Sequence, residues 1–243
     1  MIITNDEIKL FLKKLSFDDD YIEEFIEQIN YFEGEAKIRD DIVKSYLNDE
    51  CIEVITNEIV YELLKLDKTK LTILDVAAGS GFFTKRIKNK LEKKGLKVEL
   101  FGLDITQSML KNLRQKGIFS VWGVAEKIKK SIEIFNEHYK TDVPEKFDAV
   151  FSTLAFHHFL QPEKVLSSMK EVLIEDGKII IVDVLKHDYE EFSETLKDTH
   201  LGFSKEEINS MGSKLFAKVK VEQLGAYCRV DDKKVHLYKA VFE

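Results

Sequence analysis

The residues with the clearest chemical potential are two acids and a turn of small residues. Asp75 ends an apolar run and is followed by Ala77, Gly79 and Gly81, after which a helical pattern begins. Small residues at a strand-to-helix turn let the backbone come close to a ligand, because a side chain there would collide with it. Asp104 closes the next apolar run about 23 residues after Gly81, where a carboxylate accepts hydrogen bonds from both hydroxyls of a ribose. The glycine turn alone fits a packing turn in any α/β protein. Turn and second acid together point to an adenosine-containing ligand. A dinucleotide rests its pyrophosphate on the helix N-terminus, and a carboxylate inside the turn would repel it. Asp75 suits a cationic ligand instead, contacted directly or through water.

A second candidate group is His157 and His158, which follow the fourth apolar run, whose carboxyl end faces the ligand crevice in folds of this type. One of the pair would act as general base or orient an acceptor by a hydrogen bond. The alternative is one histidine packed in the core and the other solvated. No carboxylate or third histidine stands near them at a supporting spacing, so no metal is expected. Cys51 and Cys228 also lack metal-ligand spacing and read as buried thiols.

Elements must hold these groups in place. From residue 71 onward, short apolar runs (71–76, 98–103, 118–123, 147–152 and 179–184) alternate with helical stretches (82–94, 108–116, 126–139 and 163–174), the pattern of βαβ units and a parallel sheet. Two further helical stretches, 189–197 and 204–211, lead to alternating runs at 217–224 and 235–242 that read as an antiparallel hairpin. The expected fold is α/β, Rossmann-like and doubly wound, with a mostly parallel seven-stranded sheet, a C-terminal antiparallel hairpin and an N-terminal helical segment. Residues 1–66 have helical periodicity, as in Ile8, Phe11, Leu12, Leu15 and Ile22, Phe25, Ile26, Ile29. Thr4 to Asp6 and Ser16 to Asp20 supply cap oxygens and first-turn acids, so three or four helices are expected there. The division expected is 1–66 for this segment and 67–243 for the ligand-binding domain.

Charge and composition exclude several classes. Formal net charge is -7, and residues 1–66 carry about ten net negative charges, which argues against a nucleic-acid partner. No apolar run approaches the roughly 20 residues of a membrane span. Met1 to Glu7 turn acidic at once and lack the basic start and apolar centre of a leader, so a cytoplasmic location is expected.

The segments LDVAAGSGFFT and GLDITQSML resemble the first two motifs of class I S-adenosylmethionine (SAM)-dependent methyltransferases, in particular the ubiquinone/menaquinone-biosynthesis-like group. FDAVFSTLAFHHF and LIEDGKIII resemble the fourth-strand motif and the entry to strand five, and HLGFS is similar to a weaker motif further on. The resemblance covers residues 71–185. It implies SAM as cofactor, with Asp75, Ala77, Gly79 and Gly81 along the methionine side, Asp104 on the ribose, and Ile105 and Met109 flanking the adenine. Two positions depart from the pattern. Ala77 replaces a glycine, and Val124 stands where an acid often contacts the adenine amino group, which passes that role to the Ala125 backbone or to Glu126. Glu126 reads equally well as a helix-start acid.

The resemblance also implies an acceptor that is a small molecule. Ser152 to Ala155 lack the Asn/Asp-Pro-Pro-aromatic motif of nucleobase amino methylation, and the region has no nucleophilic cysteine for C5 methylation. The alternatives are a protein or RNA methyltransferase and a non-catalytic SAM-binding module. His200 falls in a region that borders the acceptor pocket in this superfamily, or is a surface helix-end residue. Tyr21, Phe25, Tyr31 and Phe32 read as core at helical spacing. N-terminal helices commonly close over the pocket in this superfamily, which makes residues 1–66 a candidate substrate lid.

Overall fold

A computed structural model describes residues 4–243, so Met1 to Ile3, on which the leader expectation partly rests, lie outside the described residues. The N-terminal segment forms four helices: α1 (Asn5–Lys14), α2 (Asp19–Glu35), α3 (Arg39–Tyr46) and α4 (Asp49–Leu64). Thr4 caps α1 in a reciprocal box with Glu7, and Asp18 and Asn48 cap α2 and α4 by accepting from Tyr21 N and Cys51 N.

The sheet follows. Its parallel strands are β1 (Lys70–Val76), β2 (Lys97–Asp104), β3 (Phe119–Trp122), β4 (Phe147–Thr153) and β5 (Leu173–Val184). They are joined by α5 (Phe82–Lys93), α6 (Gln107–Gln115), α7 (Ile128–Tyr139) and α8 (Pro162–Glu171). Short α9 (Glu191–Thr195) and α10 (Lys205–Ser213) precede the antiparallel pair β6 (Val219–Val230) and β7 (Lys233–Phe242). Strand order is β3-β2-β1-β4-β5-β7-β6, with β7 antiparallel to β5. The order in which strands are added reverses between the parallel neighbours β1 and β4, and the crevice beyond their carboxyl ends is where such sheets bind ligands.

Boundaries differ from the sequence reading where polar residues hide pairing or helical pattern hides a turn. β5 begins at Leu173, not 179, because its register against β4 shifts between Phe147 and Ala149 around the exposed Glu175 and Asp176. The helix expected over 126–139 opens as a 3-10 turn, Ala125–Lys127, before α7. The hairpin strands run through the polar stretch up to a two-residue turn at Asp231, whose φ is +54°.

Packing divides the molecule differently from the chain. Ile52, Ile55, Ile59 and Leu63 of α4 pack with Leu71, Ile73, Ile87 and Phe151 on one face of the sheet, so α4 belongs to its core. Buried Glu62 also accepts from Lys239 Nζ at 2.9 Å, tying α4 to β7. A separate cluster holds Ile8, Phe11 and Leu12 of α1 and Ile22, Phe25 and Ile29 of α2, seated on Val124, Ile105 and Trp122. Thus α1 and α2 roof the carboxyl ends of β2 and β3. Among the described residues no helix is long and apolar enough to cross a membrane.

Candidate active site

A cavity of about 970 Å³ lies over the β1–β4 crevice. Asp75, Ala77, Gly79, Asp104, Ile105 and Met109 form its sheet side, and α2 and α3 contribute Phe25, Ile29, Phe32 and Arg39 as its roof. The turn after β1 is tightly wound. Ala77, Gly79 and Gly81 have φ of +56°, +53° and +79°, the left-handed region that glycine enters freely and alanine does not. Gly81 begins α5 and packs on Leu113, where a Cβ would stand 2.4 Å from Cδ1, so it shapes the turn without lining the cavity.

Both expected acids are buried and face this space. Asp104 accepts from Gly79 N through Oδ2 and from Thr106 N through Oδ1, each at 2.8 Å. Burial raises its carboxyl from the ordinary value, against those two amide bonds. Asp75 accepts from the Thr84 hydroxyl at 2.5 Å, and burial, reinforced by the Asp104 charge, holds its carboxyl well above the usual range. Two buried carboxylates on one wall require a cation for both to ionise. Thr153 Oγ1, on the same cavity wall, is buried without a hydrogen-bond partner.

Ala125 and Glu126 are buried but stand outside the cavity lining. Glu126 Oε1 accepts from the Tyr21 hydroxyl at 2.8 Å, so this acid fastens α2 to the turn before α7. Other bonds latch the roof at its far side. Gln28 Nε2 donates to the His158 carbonyl and to Thr199 Oγ1 at 2.9 and 2.7 Å, and Asn112 Nδ2 donates to Ala36 O at 2.6 Å. The aromatic residues of α2 both pack and line: Tyr21 stacks on Phe17, Phe25 and Phe32 face the first cavity, and Tyr31 faces a second.

The second cavity, about 580 Å³, lies against the first, and Arg39, Tyr46, Leu154 and His158 face both. Its polar end is a histidine pair. His157 Nδ1 is 2.5 Å from Asp183 Oδ1, and its Nε2 is 3.4 Å from Asp198 Oδ1. Burial works against a charged ring at His157, but the Asp183 and Asp198 carboxylates outweigh it and raise the group to about 10. His158 is driven well below the ordinary histidine value by burial and then by the charge on His157, so it is neutral. His157 therefore holds charge and faces only the second cavity, whereas neutral His158 faces both. His200 joins neither lining, and its Nε2 lies 3.0 Å from Phe159 O.

Three charged residues of this region escape the sequence reading. Asp183 ends β5 as Asp75 and Asp104 end β1 and β2, and the same strand-end logic would have found it. Asp198 and Arg39 carry no local signal. Asp198 also overturns the spacing argument against a ligand cluster, because it comes 40 residues after His158 yet its carboxylate stands 3.7 Å from that ring's Nδ1. Cys51 and Cys228 are buried free thiols.

Residues 67–224 match the family model described as a methyltransferase domain. The chain belongs to this family, and with it to the class I SAM-dependent methyltransferases, as the seven-stranded sheet and its crevice require. It is 32% identical over 122 residues to the ubiquinone/menaquinone biosynthesis C-methyltransferase UbiE of Wigglesworthia glossinidia brevipalpis. That match covers 47% of this chain and spans 43% of the relative's length. Among solved structures, a SAM-dependent methyltransferase of Thermotoga maritima superposes with a TM-score of 0.59 at 14% identity, covering 87% of this chain and 98% of that one. The DhpI–SAH complex superposes with a TM-score of 0.56 at 15% identity, covering 88% and 94%. These two likenesses concern the fold.

Proposed function

We propose that the chain transfers a methyl group from SAM, bound in the first cavity, to a small molecule bound in the second. The observation that carries this reading is the pair of adjoining cavities, one with Asp75 and Asp104 on its sheet side and the other with a histidine pair and Asp198 among apolar side chains. Asp75 would take the ammonium of the methionine moiety and Arg39 its carboxylate, matching a zwitterion with opposite charges on facing walls. Asp104 would hold the ribose hydroxyls, with Ile105 and Met109 against the adenine.

When bound, SAM supplies an activated methyl carbon and a good leaving group. The chain's own residues align the acceptor and exclude water. Leu154 and His158 stand in the shared wall, where neutral His158 accepts a hydrogen bond or a proton from the acceptor's heteroatom. The roof of α1 and α2 acts as a lid over this junction. The lining of the second cavity, apolar side chains with a few convergent polar groups, suits a small molecule. Carbon methylation of the kind named for the UbiE relative of ubiquinone/menaquinone biosynthesis is one member of that class.

The test is transfer of tritiated methyl from SAM to fractionated lysate. Label is expected in the deproteinised, nucleic-acid-free small-molecule fraction. Label confined to protein or RNA overturns the acceptor class, and saturable SAM binding without transfer to any fraction overturns catalysis.

A further inference from the structure

We infer that His157, His158 and Asp198 form a site for one divalent transition-metal ion, with a coordination position open to the second cavity. The donor atoms of the three residues all lie within 4.8 Å of one another. His157 Nε2 and His158 Nδ1 stand 3.4 and 3.7 Å from the same oxygen, Asp198 Oδ1. Ligands bound tetrahedrally at about 2.0–2.2 Å are about 3.3–3.6 Å apart, so the pocket already has nearly the span an ion needs.

The surroundings are those of a built site. His157 turns its other ring nitrogen to Asp183 at 2.5 Å, and Asp183 is fixed in turn by the amides of Phe156 and Val184, both at 2.6 Å. A carboxylate behind a ligating imidazole sets its orientation and raises its basicity. Asp183 and Asp198 also bring two negative charges to a buried place, which a dication neutralises. All three ligands line the second cavity, so the remaining position faces that cavity.

The backbone is held in costly conformations at both approaches to the cluster. Leu154, just before the turn that carries the histidines, has φ +51°, and Lys197, immediately before Asp198, has φ +56°. A residue with a side chain enters this region only at a cost, and such outliers gather where geometry is over-determined by function. Two imidazoles and one carboxylate favour zinc, iron(II), cobalt or nickel over magnesium or calcium, which prefer all-oxygen sets. In the chain without metal, His158 Nδ1 lies 3.2 Å from the Lys197 carbonyl. The ion takes that nitrogen's lone pair and leaves the ring proton on Nε2, and it displaces the Nε2 proton of His157 to solvent.

With the ion in place, His158 serves as a ligand instead of accepting from the acceptor, and the ion holds an oxygen, nitrogen or sulfur donor of the acceptor. This last role rests on the acceptor reading above, whereas the metal site itself does not. The test strips the full chain with a chelator and titrates zinc and cobalt(II) against a chromophoric competitor. One equivalent per chain is expected, with a cobalt spectrum of low coordination number. Asp198→Asn should weaken uptake at least tenfold and Asp183→Asn about 10- to 100-fold, the range for a lost outer-shell carboxylate, while both keep wild-type affinity for S-adenosylhomocysteine (SAH). Less than one equivalent, or uptake undiminished in Asp198→Asn, overturns the site. Wild-type chain that takes up metal stoichiometrically but binds no SAH supports the site and sinks only the cofactor reading.

Discussion

The two cavities share a wall but were assembled in opposite ways. The sheet side of the first comes largely from one stretch of sequence: one strand end, one turn and the next strand end deliver Asp75, Ala77, Gly79 and Asp104 within a single βαβ unit, under a roof from α2 and α3. The second is built from contacts between distant segments, with Arg39 and Tyr46 from α3, His157 and His158 after β4, Asp198 after α9 and Cys228 from β6. Their electrostatics differ as well. The first leaves two carboxylates without a cationic partner on their wall, and the second surrounds a histidine with carboxylates. A local motif suits a cofactor common to many enzymes, and a site assembled from many segments can vary with the acceptor.

Separable losses would sharpen this contrast. The largest expected effect is on turnover: His158→Ala should lower kcat by about 10²–10⁴ while SAH affinity changes only a few fold, the range for a lost proton-transfer or acceptor-holding group. Equal loss of kcat and of SAH affinity would merge the two cavities into one function. Next, Asp104→Ala should weaken SAH binding by about 1–3 kcal/mol, because charge-assisted bonds to buried hydroxyls disappear. Calorimetry returning the wild-type affinity would remove Asp104 from the ribose.

Acidity offers a third test. Asp75 and Asp104 are both raised above 3.8, so the folded chain favours their protonated forms and loses stability as pH climbs through the raised values. The ligand's ammonium favours the ionised form of Asp75, so binding expels a proton and SAH affinity increases with pH across that window, by up to roughly tenfold per unit for one proton. Titration in two buffers of different ionisation heat should reveal the release; identical heats would contradict it. The smallest effect concerns the turn. Ala77→Gly should stabilise the fold by up to about 1 kcal/mol by relieving a left-handed alanine, partly offset by the entropy glycine loses. Denaturant unfolding that shows a loss instead would mean the Ala77 methyl packs usefully.

The same contrast governs what the sequence discloses. Strand count, hairpin and the crevice of the first cavity are legible because each follows from period-two or helical patterning and from small residues at one turn. Gly81 and Glu126 show the limit: a motif position marks a backbone need at Gly81 and a clasp to Tyr21 at Glu126, and periodicity distinguishes neither from a ligand contact. The Asp198 partnership and the place of α4 in the sheet's core depend on contacts across much of the chain, for which no local spacing exists. By periodicity alone α2 reads as an amphipathic helix, and a lid comes only from the resemblance; the structure sets Phe25 and Phe32 over the cavity.

The most direct test is a crystal structure of the chain with SAH. The ribose is expected on Asp104, the amino acid end between Asp75 and Arg39, and the sulfur facing the wall of Leu154 and His158. A nucleoside seated in the second cavity, or a sulfur turned away from that wall, would contradict it.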